Sequence, residues 1–159
     1  MIVGLGDIGK VIRNREGALF FCSGVSNSSC DDPKEFNREK TLLLEQPKDL
    51  CIFYFGTISM FTQSTPYTRH KAKMELLIKS NWNNYNIIRL GNITWGKNPN
   101  TFINFIKSKK KAGEPYEIRD EYRYVIDRDQ LRLLTGNLPL KGQNEICVFG
   151  RKALVKDLV

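Results

Sequence analysis

A phenol and an ammonium group stand four residues apart at Tyr67 and Lys71, in the segment Thr65-Pro66-Tyr67-Thr68-Arg69-His70-Lys71. Thr65-Pro66 is a natural helix opening. On a helix this spacing puts both groups on one face, one turn apart. A lysine held there lowers the phenol's pKa and can hold the ribose of a cofactor. That suits the tyrosine to proton transfer beside a hydride carrier. His70, the single histidine of the chain, falls on a different face from Lys71 and reads as a surface residue rather than a base.

The elements that must position this pair alternate along the chain. Ile2-Val3 is a very short strand, followed by Gly4-Leu5-Gly6-Asp7-Ile8-Gly9 and a stub of helix over Lys10 to Arg13. Ala18 to Cys22 reads as a buried strand running into the polar loop 23–28. Pro33 to Glu45 is helical, with Asp31 or Asp32 as its cap. Leu50 to Phe55 is a second buried strand. Pro66 to Ser80 is the next helix, with Met74, Leu77 and Ile78 on one side, and Asn86 to Leu90 is a third strand. Beyond it the pattern mixes helix (100–111 and 128–135), short extended stretches (116–118 and 122–126), a strand over Glu145 to Phe149 and a final helical turn or two over Lys152 to Leu158. Alternating strands and helices predict a mostly parallel sheet covered on both faces, with ligands at the carboxyl ends of the strands. The polar loops 4–9, 23–28, 56–59 and 91–97 all fall there.

Composition narrows the partners. The chain has 159 residues, 41% of them hydrophobic and 11% aromatic, as for one globular domain. No apolar run is long enough to span a membrane, and no signal peptide is seen. The four cysteines, Cys22, Cys30, Cys51 and Cys147, are widely spread, and with one histidine no metal site is expected. Reduced thiols fit a cytoplasmic location. The net charge of +8 favours anionic partners such as nucleotides or phosphorylated sugars. Lys107, Lys109, Lys110 and Lys111 form the densest cluster and read as a solvated helix end. No nucleic-acid-binding motif accompanies them, so nucleic acid is not the expected partner.

Gly4-x-Gly6-x-x-Gly9 follows a strand and opens a helix, the context a dinucleotide loop requires. Together with Tyr54-Phe55-Gly56-Thr57-Ile58-Ser59, Thr65-Pro66-Tyr67-x-x-x-Lys71-x-x-x-Glu75 and Ile88-Arg89-Leu90-Gly91-Asn92-Ile93-x-x-Gly96, it resembles the ordered motifs of the extended short-chain dehydrogenase/reductases, the NAD-dependent epimerase/dehydratase family. Arg123-Tyr124-Val125-Ile126-Asp127-x-Asp129 resembles that family's segment near the substrate. Cys22-Ser23-Gly24-Val25-Ser26-Asn27-Ser28 resembles the loop after its fourth strand. The resemblance covers nearly all of residues 1–159.

It implies a set of roles. Tyr67 would be the general acid/base and Lys71 would hold the nicotinamide ribose and depress the Tyr67 pKa. Thr57 would hydrogen-bond the reacting oxygen, with Ser59 as a nearby alternative. Gly4, Gly6, Asp7, Ile8, Gly9, Ser23, Gly24 and Lys71 would line the cofactor. Ser59, Asn92 and Arg123 would face the substrate, Arg123 pairing with a phosphate. The cofactor would be NADP or NAD and the substrate a nucleotide sugar or related phosphorylated sugar, either reduced or epimerised. The fold class implied is α/β, a single shortened Rossmann-like domain over 1–159 with a small substrate-side region over 92–159. Members of this family often dimerise through the helices equivalent to 34–46 and 66–80, so a homodimer is expected.

One departure from the pattern matters. Residues 10–17 are all that separate Gly9 from Ala18. A full Rossmann domain places there two further strand–helix units and the acidic residue that binds the adenosine ribose. The expected order 3-2-1-4-5-6 thus shrinks to roughly 1-4-5-6, with the first strand at an edge. Arg13 and Arg15 are the remaining cations that could favour a 2′-phosphate. A catalytically silent binding or regulatory module built on the same scaffold is the alternative reading.

Overall fold

The structure is a computed structural model that describes residues 1–118 and 122–159. Five strands form one fully parallel sheet in the order β1-β2-β3-β4-β7: β1 Ile2–Val3, β2 Ala18–Phe21, β3 Cys51–Thr57, β4 Tyr85–Leu90 and β7 Gln143–Val148. β1 lies at an edge, as the missing wing predicts. At the other edge β7 extends the expected order by one strand.

Burial on both faces explains the sequences of the central strands. β2 and β4 are buried along their whole length; β2 is a continuous apolar run, and β4 buries Asn86 and Arg89 among its apolar side chains. Leu19, Phe21, Ile52, Tyr54 and Ile87 pack against helices α1 (Pro33–Leu44) and α2 (Pro66–Asn81) through Leu43, Met74, Ile78 and Trp82. Phe20, Phe53, Phe55, Ile88 and Leu90 meet Val11, Ile12 and Leu131 of α4 (Arg128–Asn137) on the opposite face. Fully burying side chains of this size stabilises by roughly 1.5–3 kcal/mol each. Asp32 caps α1 and Thr65 caps α2, the latter in a capping box with Thr68.

A smaller sheet, β5-β6-β8, comprises Asn92–Ile93, Tyr122–Ile126 and Arg151–Leu154, with α3 (Phe102–Ala112) against it through Ile103, Val125 and Ala153. Three local expectations are corrected here. The stub after the glycines is no helix: Lys10 N–H reaches the Gly6 carbonyl and Ile12 N–H the Ile8 carbonyl, and the chain then turns into β2. A single turn has too few bonds to sustain a helix. Residues 116–118 form no strand, and Tyr116 and Ile118 are exposed. The helical turn expected over 152–158 is confined to its second half, because residues 152–154 belong to a strand. Ala153 and Val155 are buried at a spacing of two, so the chain pairs antiparallel with β6 before a 3-10 turn over Val155–Asp157. The four lysines sit towards the C-terminal end of α3, which Gly113 closes, and Lys109 pairs with Glu114. Among the described residues no helix is long and apolar enough to cross a membrane.

Candidate active site

The loops leaving β1, β2, β3 and β4 enclose a cleft of about 690 Å³ at the carboxyl end of the sheet. Of the residues singled out from sequence, Gly4, Gly6, Asp7, Ile8, Ser23, Gly24, Thr57, Tyr67, Lys71 and Asn92 line it. Gly9, Ser59 and Arg123 do not. Gly9 supports the wall from behind: Gly4 has φ +97°, a conformation that favours glycine, and a methyl group on Gly9 would overlap the Gly4 carbonyl. At Gly6 a methyl group would meet the Cys22 carbonyl oxygen only at 3.8 Å, leaving that stretch of backbone approachable. The Ser59 hydroxyl lies 2.8 Å from the Thr57 hydroxyl, so it orients Thr57. Arg123 lays its guanidinium over the Phe102 ring at 4.4 Å, and Phe102 is the residue that reaches the cleft.

Two side chains expected to be free for ligands are engaged in the fold. The Asp7 carboxylate accepts the backbone N–H groups of Lys97 (3.1 Å) and Asn98 (2.9 Å), and so ties the glycine turn to the loop after β5. Asn92 donates to the Tyr124 carbonyl at 3.2 Å. Arg15 is turned to the Leu138 carbonyl at 2.6 Å and Arg13 is exposed; neither lines the cleft. Among the described residues, the cations that do line it are Lys10, Arg38, Lys71 and Lys97. With Asp7 occupied by backbone donors, the cleft favours an anion.

Tyr67 and Lys71 both reach the cleft from the first turns of α2. The Lys71 nitrogen stands 5.8 Å from the centre of the Tyr67 ring. It bonds a residue that the sequence reading missed, Glu39 of α1, at 3.1 Å. Glu39 is wholly buried, and so is the ion pair. Burial by itself raises the Glu39 pKa. The Lys71 charge and hydrogen bonds from His70, the Val25 N–H and Tyr54 outweigh that effect and hold it at about 2. Glu39 was legible in principle, since Glu39 and Leu43 share the inward face of α1 one turn apart.

Two expectations fail at this point. His70 is not a surface residue: it is buried, stacked on Phe36 with ring centres 4.3 Å apart, and bonded to Glu39 at 2.9 Å. The Tyr67 pKa is raised, not depressed. Burial is the main cause, Lys71 lowers it, and the Glu39 charge raises it again. Phenol and lysine do share a face, as predicted, but Glu39 offsets much of the field of the lysine. Cys22 also lines the cleft, and burial pushes its thiol up to about 12, which makes it a poor nucleophile.

The far half of α2 is fastened by Arg89 of β4, which bonds Glu75 at 2.6 Å and Glu145 at 2.5 Å; Glu145 also pairs with Lys79. This chain of charges ties the helix to β4 and β7. The four cysteines are free thiols, and among the described residues no cluster of ligands could hold a metal ion.

No family model matches the sequence, and no curated protein matches it significantly. Solved structures do match. WbmH of Bordetella bronchiseptica, in complex with NAD+, superimposes with a TM-score of 0.71 at 12% identity, over 89% of this chain and 55% of that one. A UDP-glucuronic acid 4-epimerase variant from Bacillus cereus, bound to NAD and a fluorinated UDP-sugar, gives 0.67 at 15% identity, over 95% and 59%. The UDP-N-acetylglucosamine 4-epimerase of Methanobrevibacter ruminantium gives 0.63 at 18% identity, over 96% and 61%. The chain has the Rossmann-like fold of these proteins and spans about three-fifths or less of their length.

Proposed function

We propose that the cleft binds NAD or NADP together with a nucleotide sugar, and that the protein is a reductase or epimerase of that sugar. The observation that supports this most is convergence: the Gly4–Gly9 turn, Thr57, Tyr67 and Lys71 come from separate elements and meet in one cleft. Its lining suits the cofactor. The backbone at Gly6 is approachable, and Lys10, Arg38 and Lys97 supply charge for a diphosphate. Lys71 has three N–H donors and spends one on Glu39, so two remain for ribose hydroxyls. When bound, the nicotinamide supplies or accepts the hydride.

The chain's own groups handle the proton. With its pKa raised, Tyr67 is a phenol at neutral pH, the proton-donating form. It gives its proton to the reacting sugar oxygen, and in the opposite direction the phenolate so formed takes that proton back. The Thr57 hydroxyl, oriented by Ser59, hydrogen-bonds that same oxygen. Asn92 and Arg123 contribute from the substrate side through the small sheet and Phe102. The chain pairs as a homodimer through α1 and α2, where Leu76 is 63% exposed beside the groove between them. Size-exclusion chromatography with light scattering reads that state.

NADH and NADPH fluorescence titrations test the cofactor, followed by turnover of a panel of UDP- and dTDP-sugars. Tyr67→Phe is expected to keep cofactor binding and to lose about 10²–10⁴-fold in turnover. Failure of the wild-type protein to bind either cofactor at millimolar concentration overturns the reading and leaves the silent module in its place.

A further inference from the structure

Each oxygen of the Glu39 carboxylate accepts two hydrogen bonds. Oε1 takes the Tyr54 hydroxyl at 2.8 Å and the Lys71 ammonium at 3.1 Å. Oε2 takes the Val25 N–H at 2.7 Å and His70 Nε2 at 2.9 Å. Four donors fill the acceptor sites of an ionised carboxylate. Because that carboxylate can only accept, His70 carries its hydrogen on Nε2. The donors come from β3, from α2 and from the loop after β2, so the group is locked from three directions. The loop is shaped around the pair: a methyl group on Gly24 would stand 2.6 Å from the Lys71 nitrogen and 2.8 Å from Glu39 Oε1.

Such a cluster is a poor device for stability alone, since apolar side chains of the same volume serve a core as well or better. Its geometry serves position. A lysine stem is flexible and its ammonium is a point charge. Glu39 fixes that charge at the floor of the cleft, on the face it shares with Tyr67. The cluster also crosses the fold: Lys71 lines the cleft, whereas His70 lines the outer groove between α1 and α2 beside Lys40 and Lys73.

Resting on the cofactor-binding reading above, we propose that Glu39 is the positioning residue of the site. It fixes the Lys71 ammonium and supplies a counter-charge that offsets the pull of that ammonium on the buried Tyr67 phenol, with His70 clamping Glu39 from the groove side. The charged and titratable groups facing this cluster are Lys71, His70 and Tyr67 from α2 and Tyr54 from β3, with Glu75 of α2 acting on Tyr54.

The test is the titration of Tyr67 by NMR of protein labelled at tyrosine Cζ, the signal assigned with Tyr67→Phe. Glu39→Gln is expected to move that titration to lower pH, because the lysine then acts uncompensated. Lys71→Met is expected to move it to higher pH, and His70→Gln, which can still donate, to leave it in place. In a protein that binds cofactor, Glu39→Gln also weakens binding about tenfold or more by loosening Lys71. If Glu39→Gln does not fold, Lys71→Met decides. A Tyr67 titration unmoved in either folded variant overturns the proposal. The titration needs no cofactor, so its failure is separable from failure of the wild-type protein to bind NAD(P)H.

Discussion

The two ends of the cleft are built to different standards. At the α2 end, Tyr54, Tyr67, His70 and Lys71 are buried, and the wholly buried Glu39 accepts a hydrogen bond from three of them and from the Val25 N–H. At the glycine-turn end, a two-residue strand closes the sheet and Leu5 is 77% exposed. In a full Rossmann sheet the strands beyond that edge would hold the adenosine. The difference teaches that the Tyr67–Lys71 half of the cleft is organised within the packing of α1, α2, β3 and the loop after β2. The gripping half depends on strands that this chain does not carry between Gly9 and Ala18. Under the proposed function, lost contact at that end lowers cofactor affinity without disturbing the arrangement of Glu39, Lys71 and Tyr67.

The largest expected effect tests the rigid end. Glu39→Leu leaves Lys71 buried without its counter-charge and should cost about 3–5 kcal/mol in chemical denaturation. A loss under ~1 kcal/mol would erase the contrast between the ends. Acid comes next. The Glu39 pKa is about 2 in the fold against an ordinary 4.5, so its contribution is complete above 4.5 and disappears as pH falls towards 2. That shift is worth about 3 kcal/mol, visible as a falling denaturation midpoint over this window that Glu39→Gln flattens.

The glycine-turn end yields smaller numbers. Gly4→Ala meets the Ser23 nitrogen at 2.8 Å at a φ of +97°, and should cost about 1–3 kcal/mol. It should weaken NAD(P)H binding more than it lowers the melting temperature, because the strain lies in the ligand loop. Leu5→Ser, on the open edge, should change stability by less than ~0.5 kcal/mol. If instead it cost several times that, the edge would be covered in solution, and light scattering would show the partner copy.

Much of this could be read from one dimension. The Thr65 cap, the apolar runs of β2 and β3, and the loops that line the cleft all follow from local pattern, whereas the choice of Asp32 over Asp31 as the cap of α1 did not. The β1 edge followed from the shortness of 10–17. What escaped was long-range. β8 looked helical because its pairing with β6 lies far off in sequence. His70 looked exposed because its own helix says nothing about α1, whose Phe36 and Glu39 enclose it.

The sequence by itself determined the run of strands from the β1 edge to β4, the place of the cleft and the shared face of Tyr67 and Lys71, because these depend on periodicity, turn chemistry and the right-handed logic of parallel sheets. Only the tertiary structure decided the electrostatics. Glu39 and Lys71 are 32 positions apart in the chain and 3.1 Å apart in the fold. A charge buried at that distance governs its neighbours, since little solvent lies between to screen it. The spacing of Tyr67 and Lys71 promised a depressed phenol; burial, with the Glu39 charge adding to it against the lysine, keeps its proton on.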